Sequence, residues 1–99
     1  MKNYRNIYRV LSIKNAINVL FEIYQGCLIE EYREFEWLRK SLRMNKSSMR
    51  RITNRLSSCG LITSKKNPNA QDKRKRYYVV NDINLCEQIK ALTESFMNN

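Results

Sequence analysis

Between Asn45 and Gly60 the sequence permits a helix with only one narrow apolar edge. Met49, Ile52, Leu56 and Cys59 recur at three- and four-residue spacing, and every position between them is polar or basic. Asn45 is a credible N-cap, and Gly60 stands where a helix C-terminus favours a left-handed residue. Such a helix buries one edge and leaves the rest of its circumference in water. It cannot run through the middle of a core, so the other elements must supply the apolar layer it rests on.

The neighbouring segments supply that layer. The stretch 33–43 carries Phe35, Leu38 and Leu42 at helical spacing and reads as a second short helix, followed after a few residues by the helix at 46–59. Two short helices joined this tightly, the second with a basic outer face, form a helix-turn-helix unit. Upstream, Ser12 reads as the N-cap and Gly26 as the C-terminal stop of a helix over 12–25, with Ile13, Ala16, Ile17, Leu20, Ile23 and Tyr24 as its stripe. Val10, Val19 and Phe21 fall outside that stripe. The surplus apolar surface predicts a homodimer through Ile13, Ile17, Leu20, Phe21 and Tyr24. Residues 3–11, with Tyr4, Ile7, Tyr8 and Leu11, read as a short first turn or an arm, and Cys27 to Ile29 as a strand or a bend.

Downstream, Leu61 to Ser64 and Arg74 to Val80 are β-rich runs flanking a polar stretch that holds Asn67, Pro68, Asn69 and Asp72. They read as a hairpin over 61–80 with a long basic loop, in which Tyr78 and Val80 face one side and Tyr77 and Val79 the other. Asp82 or Asn84 then caps a last helix at 83–97 with Leu85, Ile89, Leu92 and Phe96 on one stripe. At 99 residues the chain has room for one domain, 1–99. The expected class is mainly α with a small β-hairpin (α+β), a single dimeric domain of the winged helix-turn-helix type.

Charge is distributed unevenly along this order. From Arg39 to Arg76 there are thirteen Lys or Arg and one acid, Asp72, whereas the rest of the chain has six basic and eight acidic residues. A solvated surface usually mixes signs to limit self-repulsion, so a one-sign segment points to a polyanion. With Met49, Ile52 and Leu56 turned inward, the outer face of the 46–59 helix carries Lys46, Ser47, Ser48, Arg50, Arg51, Asn54 and Arg55. Arg pairs with guanine O6 and N7 and Asn with adenine, which makes this helix the candidate reader of a DNA major groove. Lys65, Lys66, Asn67, Lys73, Arg74, Lys75 and Arg76 of the hairpin are candidates for phosphates or the minor groove.

Other chemistries find little support. The chain has no His, so the commonest general base is missing and no enzyme is expected. Cys27, Cys59 and Cys86 are widely spaced within apolar patterns and read as reduced packing residues, with no metal and no cofactor. No apolar run approaches the roughly 20 residues that span a bilayer, so a soluble, cytoplasmic, DNA-associated protein with no membrane partner is expected.

The run KSSMRRITNRLSSCGLI, Lys46 to Ile62, resembles the recognition helix and following strand of MarR- and ArsR-type winged-helix proteins. There a Ser or Thr pair opens the helix and a Gly-Leu-Ile-like step enters the wing. The segment DKRKRYYVVND, Asp72 to Asp82, is similar to the Asp-x-Arg wing of MarR proteins, with Asp72 and Arg74 at the matching places. The chain lacks the long extra helices of MarR proteins and the His and Cys pair of ArsR metal sensors, which argues against ligand and metal sensing. Its size and element order are also similar to TubR, the centromere-binding protein of plasmid and phage partition systems. These resemblances imply a site-specific double-stranded DNA-binding homodimer on repeated or palindromic sites. It would act as a transcriptional repressor or as a partition adaptor whose partner is a tubulin-like GTPase filament. Two other readings stay open, a winged-helix protein-interaction module of the phage-inhibitor kind and an RNA binder.

Overall fold

The computed structural model describes residues 7–30, 32–66 and 75–97. Their order is α1 (Ile7–Leu11), α2 (Ala16–Ile29), β1 (Arg33–Glu34), α3 (Phe35–Ser41), α4 (Lys46–Ser58), β2 (Ile62–Lys66), β3 (Arg76–Val80) and α5 (Ile83–Met97). The strands form an antiparallel sheet in the order β1-β3-β2. The fold is mostly helical with a small sheet, a winged helix, as the residue pattern implies.

The apolar layer is organised by α2, which touches α1, α3, α4, α5, β1 and β3. Val19, Leu20 and Ile23 of α2 are fully buried together with Leu38 of α3, Met49 and Leu56 of α4, and Leu61 and Ile62 at the start of the hairpin. Because this helix is surrounded by its own chain, the apolar residues that seemed surplus have partners within the monomer. Of the residues outside the stripe, Val10 and Val19 are buried at 5% and 0% exposure and Phe21 packs partly on the core, while Leu20 and Tyr24 on the stripe are buried at 0% and 6%. Leu20 and Tyr24 are therefore core residues and not the interface residues expected of them. Ile13, Ile17 and Phe21 keep part of their surface exposed.

The expected limits of that helix also shift. Ser12 does not cap it: its hydroxyl donates to the Arg9 carbonyl at 2.7 Å, and its N–H to Tyr8 at 3.1 Å, which closes α1. Asn15, with a left-handed φ of 71°, precedes the first residue of α2. Gly26 does not end it either. The Arg33 side chain crosses directly over this position, and a Cβ there would lie 2.6 Å from Arg33 Cδ and Nε. The glycine provides room, and the helix continues so that Cys27 to Ile29 form its last turn instead of a strand or bend. Arg33 and Glu34, expected in a helix, form the short edge strand β1 by pairing with Tyr78 and Tyr77.

Both helices of the helix-turn-helix unit end in the same way. After α3, Met44 N–H donates to Arg39 and Arg43 N–H to Lys40; after α4, Leu61 N–H donates to Leu56 and Gly60 N–H to Ser57. Each is a Schellman turn, with a left-handed residue just past the cap and a buried residue after it. That left-handed residue is Gly60 (φ 86°) in one turn and Arg43 (φ 54°) in the other. An L side chain is strained in this region and Gly is not. Arg43→Gly should therefore raise stability by about 0.5–1 kcal/mol and Gly60→Ala should lower it by about 1 kcal/mol. Opposite shifts of the denaturation midpoint are the expected result, and equal effects of one sign would contradict this account of the turns.

Candidate nucleic-acid interface

Placement of α4 begins at its N-terminus. The Asn45 side chain accepts the Ser48 N–H at 2.8 Å, satisfying one of the free donors of the first turn. Met49, Ile52, Thr53 and Leu56 then form the buried edge, and the Thr53 hydroxyl is satisfied by donating to the Arg50 carbonyl at 3.2 Å. The opposite surface is left to Lys46, Ser47, Ser48, Arg50, Arg51, Asn54 and Arg55, all exposed. No acidic residue lies on α4.

The hairpin is tied to the end of this helix by Asn81. Its side-chain amide donates to the Gly60 carbonyl at 2.8 Å, its Oδ1 accepts the Thr63 hydroxyl at 2.5 Å, and its backbone N–H donates to Leu61 at 3.0 Å. Three bonds from one residue thus fix the angle between α4 and the strands. Sequence reasoning missed Asn81, although a polar residue between a strand and a helix cap was the available clue. Asp82 supplies that cap, accepting the Leu85 N–H at 3.0 Å. Within the strands, Tyr78 is buried and Val80 packs on the core, as the alternation requires. Lys65, Lys66, Lys75 and Arg76 are exposed, and Arg76 Nη1 donates to Ser64 Oγ at 3.1 Å. Asn67, Lys73 and Arg74, like Asp72, lie outside the described residues, as does the Phe96 side chain.

Helix and strands enclose an open groove of about 1000 Å³. Lys46, Arg50, Asn54, Ser57 and Ser58 line one wall, Ser64, Lys75, Arg76 and Tyr78 the other. Arg51 and Arg55, although exposed, are not among its lining residues. Two acids that were not singled out, Glu34 and Glu36, also line it, beside Phe35. Arg39 donates from Nε and Nη2 to the same Glu36 oxygen at 3.1 and 3.0 Å. That hydrogen bond, with the nearby charges of Arg39, Lys46 and Lys40, lowers the Glu36 pKa against a smaller opposing effect of desolvation. Glu36 is therefore a firm negative charge in a mainly cationic groove.

The cysteines lie elsewhere. Cys59 and Cys86 are buried and Cys27 is half-buried, with its sulfur accepting the Val80 N–H at 3.3 Å. Burial raises both buried thiols, and Cys86 is pushed up to about 11, with Asp82 and Cys27 adding to the effect. Among the described residues no group of three His, Cys, Asp or Glu could hold a metal ion, and no helix is long and apolar enough to cross a membrane.

The sequence matches the TFIIE alpha subunit family over residues 4–99. The chain belongs to that family. Comparison with curated proteins gives no match. Among solved structures, the chain is similar to the homodimeric winged helix-turn-helix DNA-binding domain of a possible ArsR-family transcriptional regulator from Mycobacterium bovis. The TM-score there is 0.72 at 16% identity, covering 93% of this chain and 79% of the other. It is similar to S. aureus MepR in complex with DNA (TM-score 0.71, 15% identity, covering 94% and 73%). A mutant of E. coli MarR complexed with operator DNA gives a TM-score of 0.65 at 25% identity, covering 85% and 68%. These likenesses place the TFIIE alpha family member in the winged-helix fold beside MarR- and ArsR-like structures.

The thiol environments give a direct check on the packing. At about pH 8 a thiol reagent should react with no more than Cys27 in the folded protein and with all three cysteines in denaturant. Rapid labelling of Cys59 or Cys86 without denaturant would contradict the packing described here.

Proposed function

We propose that this chain is a double-stranded DNA-binding regulator of transcription, reading the major groove with α4 and holding the flanking backbone with β2 and β3. The observation that carries the reading is convergence. Lys46, Arg50 and Asn54 from one element and Lys75 and Arg76 from another meet on a single groove, and the acid-free outer surface of α4 continues beyond it. Arg50, Arg51 and Asn54 are the residues for base edges, with Lys46, Ser47, Ser48 and Arg55 around them. Lys65, Lys66, Lys75 and Arg76, together with Asn67, Lys73 and Arg74, are assigned to phosphates or the minor groove. Two similar structures solved in complex with DNA, and a third described as a possible transcriptional regulator, support this reading. They also favour regulation over a TubR-like partition role with a tubulin-like GTPase, which draws only on size and element order.

Self-association belongs to the same reading, because two-fold symmetry would set two recognition helices about 34 Å apart on one face of the duplex. With Leu20 and Tyr24 committed to the core, the surface left for a second copy is Ile13, Ile17 and Phe21 with the outer side of α5. There Leu92 is 63% exposed. A homodimeric relative of the same fold supports it. Sedimentation at micromolar concentration should show a dimer for the wild type and a monomer for Leu92→Glu; a monomeric wild type would remove the symmetric arrangement.

Fluorescence anisotropy separates the two assigned roles. Replacing Arg50, Arg51 or Asn54 by Ala should cost about 1–3 kcal/mol on a selected site and much less on random duplex. Replacing Lys65, Lys66, Lys75 or Arg76 should weaken both DNAs alike and lower the salt slope by about one unit each. Helix variants that weaken both DNAs equally, combined with strand variants that alter sequence preference, would reverse reader and clamp.

A further inference from the structure

The acids in the groove have no place in a surface built only to attract DNA. If α4 occupies the major groove while the hairpin reaches toward the adjacent minor groove, the sugar–phosphate strand dividing those grooves runs between α4 and the sheet. Glu34 and Glu36 line that space together with Lys46, Arg50, Lys75 and Arg76, and Lys46 is near enough to Glu36 to help lower its pKa. Glu34 has no ion-pair partner among the described residues, and β1 holds its backbone in register with Tyr77. Glu36 lines the groove, and Arg39, which does not, donates to it from Nε and Nη2.

We propose that Glu34 and Glu36 act as an electrostatic brake on duplex binding, set against the phosphate strand so that a strongly basic protein releases DNA readily. The proposal rests on the DNA-binding reading above and adds two carboxylates that oppose it. A unit charge about 7 Å from a phosphate, in surroundings close to those of water, changes the binding constant by a small factor, on the order of 2- to 5-fold at low salt. The brake acts on phosphates, which every duplex presents, so it lowers affinity for all sequences together.

The experiment measures binding of the full chain to two probes, a random-sequence duplex and a duplex selected by the wild-type protein from a random pool. The proteins are the wild type, Glu34→Gln, Glu36→Gln and Glu94→Gln. Glu94 is exposed on α5 and absent from the groove lining, so its variant makes the same change in net charge outside the groove. Thermal melts confirm that each variant is folded. The expected result is that Glu34→Gln and Glu36→Gln tighten both probes by a similar factor of about 2–5, with Glu94→Gln giving a smaller change. The gain should fade as salt shortens the Debye length from about 10 Å at 0.1 M to about 3 Å at 1 M. Unchanged affinity, or tightening matched by Glu94→Gln, overturns the brake while leaving DNA binding in place. Weakening confined to the selected duplex also overturns it, since the acids would then be accepting from base amino groups. A wild type that binds neither duplex at low salt removes the DNA reading itself, and the brake with it.

Discussion

The structure depends on the burial of one edge of α4. Met49, Ile52 and Leu56 seat the helix on the layer built by α2, α3 and the hairpin, and that seating fixes which residues look outward. At helical spacing, a buried edge through those positions leaves Arg50, Arg51, Asn54 and Arg55 no direction except solvent. The Asn45 cap and the Schellman turn at Gly60 set where the helix starts and stops, and the turn delivers Leu61 into the core. The apolar contact therefore does electrostatic work at a distance: it aims side chains that make no contact with the core.

The second constraint is the joint between α4 and the sheet. A cationic helix and a cationic hairpin repel, and nothing in their charges would hold them side by side. Asn81, bonded to Gly60, Leu61 and Thr63, keeps them at a fixed angle, and Tyr78 buries the hairpin against the core. The repulsion is thus held in place by neutral hydrogen bonds and apolar burial, and a polyanion in the groove would relieve it. The carboxylates of Glu34 and Glu36 relieve part of it already.

Much of this architecture was legible in the sequence because it follows from patterns of burial. The narrow stripe of α4, the alternation of Tyr77 to Val80 and the caps at Asn45 and Asp82 each have a local cause that the residue order displays. What stayed hidden has causes in tertiary contact. Gly26 looked like a helix stop, but it serves the passage of Arg33, a residue seven positions later. Arg33 and Glu34 have no strand propensity and pair only because β3 offers a free edge. Leu20 and Tyr24, on the main stripe of α2, were open to a second subunit as far as the residue order shows, yet both are buried within the monomer, and Tyr24 donates a hydrogen bond to Glu87 of α5 at 3.2 Å. Nothing about Arg43 announces a left-handed residue. The basic half of the candidate groove could be read from charge and spacing, whereas its acids could not, because Glu34 and Glu36 sit in a stretch of mixed charge that reads as ordinary surface.

The central claim is that α4 and the strands beside it form the surface that meets DNA. Amide chemical-shift mapping during titration with a short duplex tests it most directly, because every element reports in one experiment without mutation. The account predicts that the largest shifts fall on residues 46–58, on 62–66 and 75–80, and at Asn81, while the inward residues of α2 and the middle of α5 stay close to their free positions. Shifts concentrated on α5 or on the apolar ends of α1 and α2, with α4 unmoved, would contradict it.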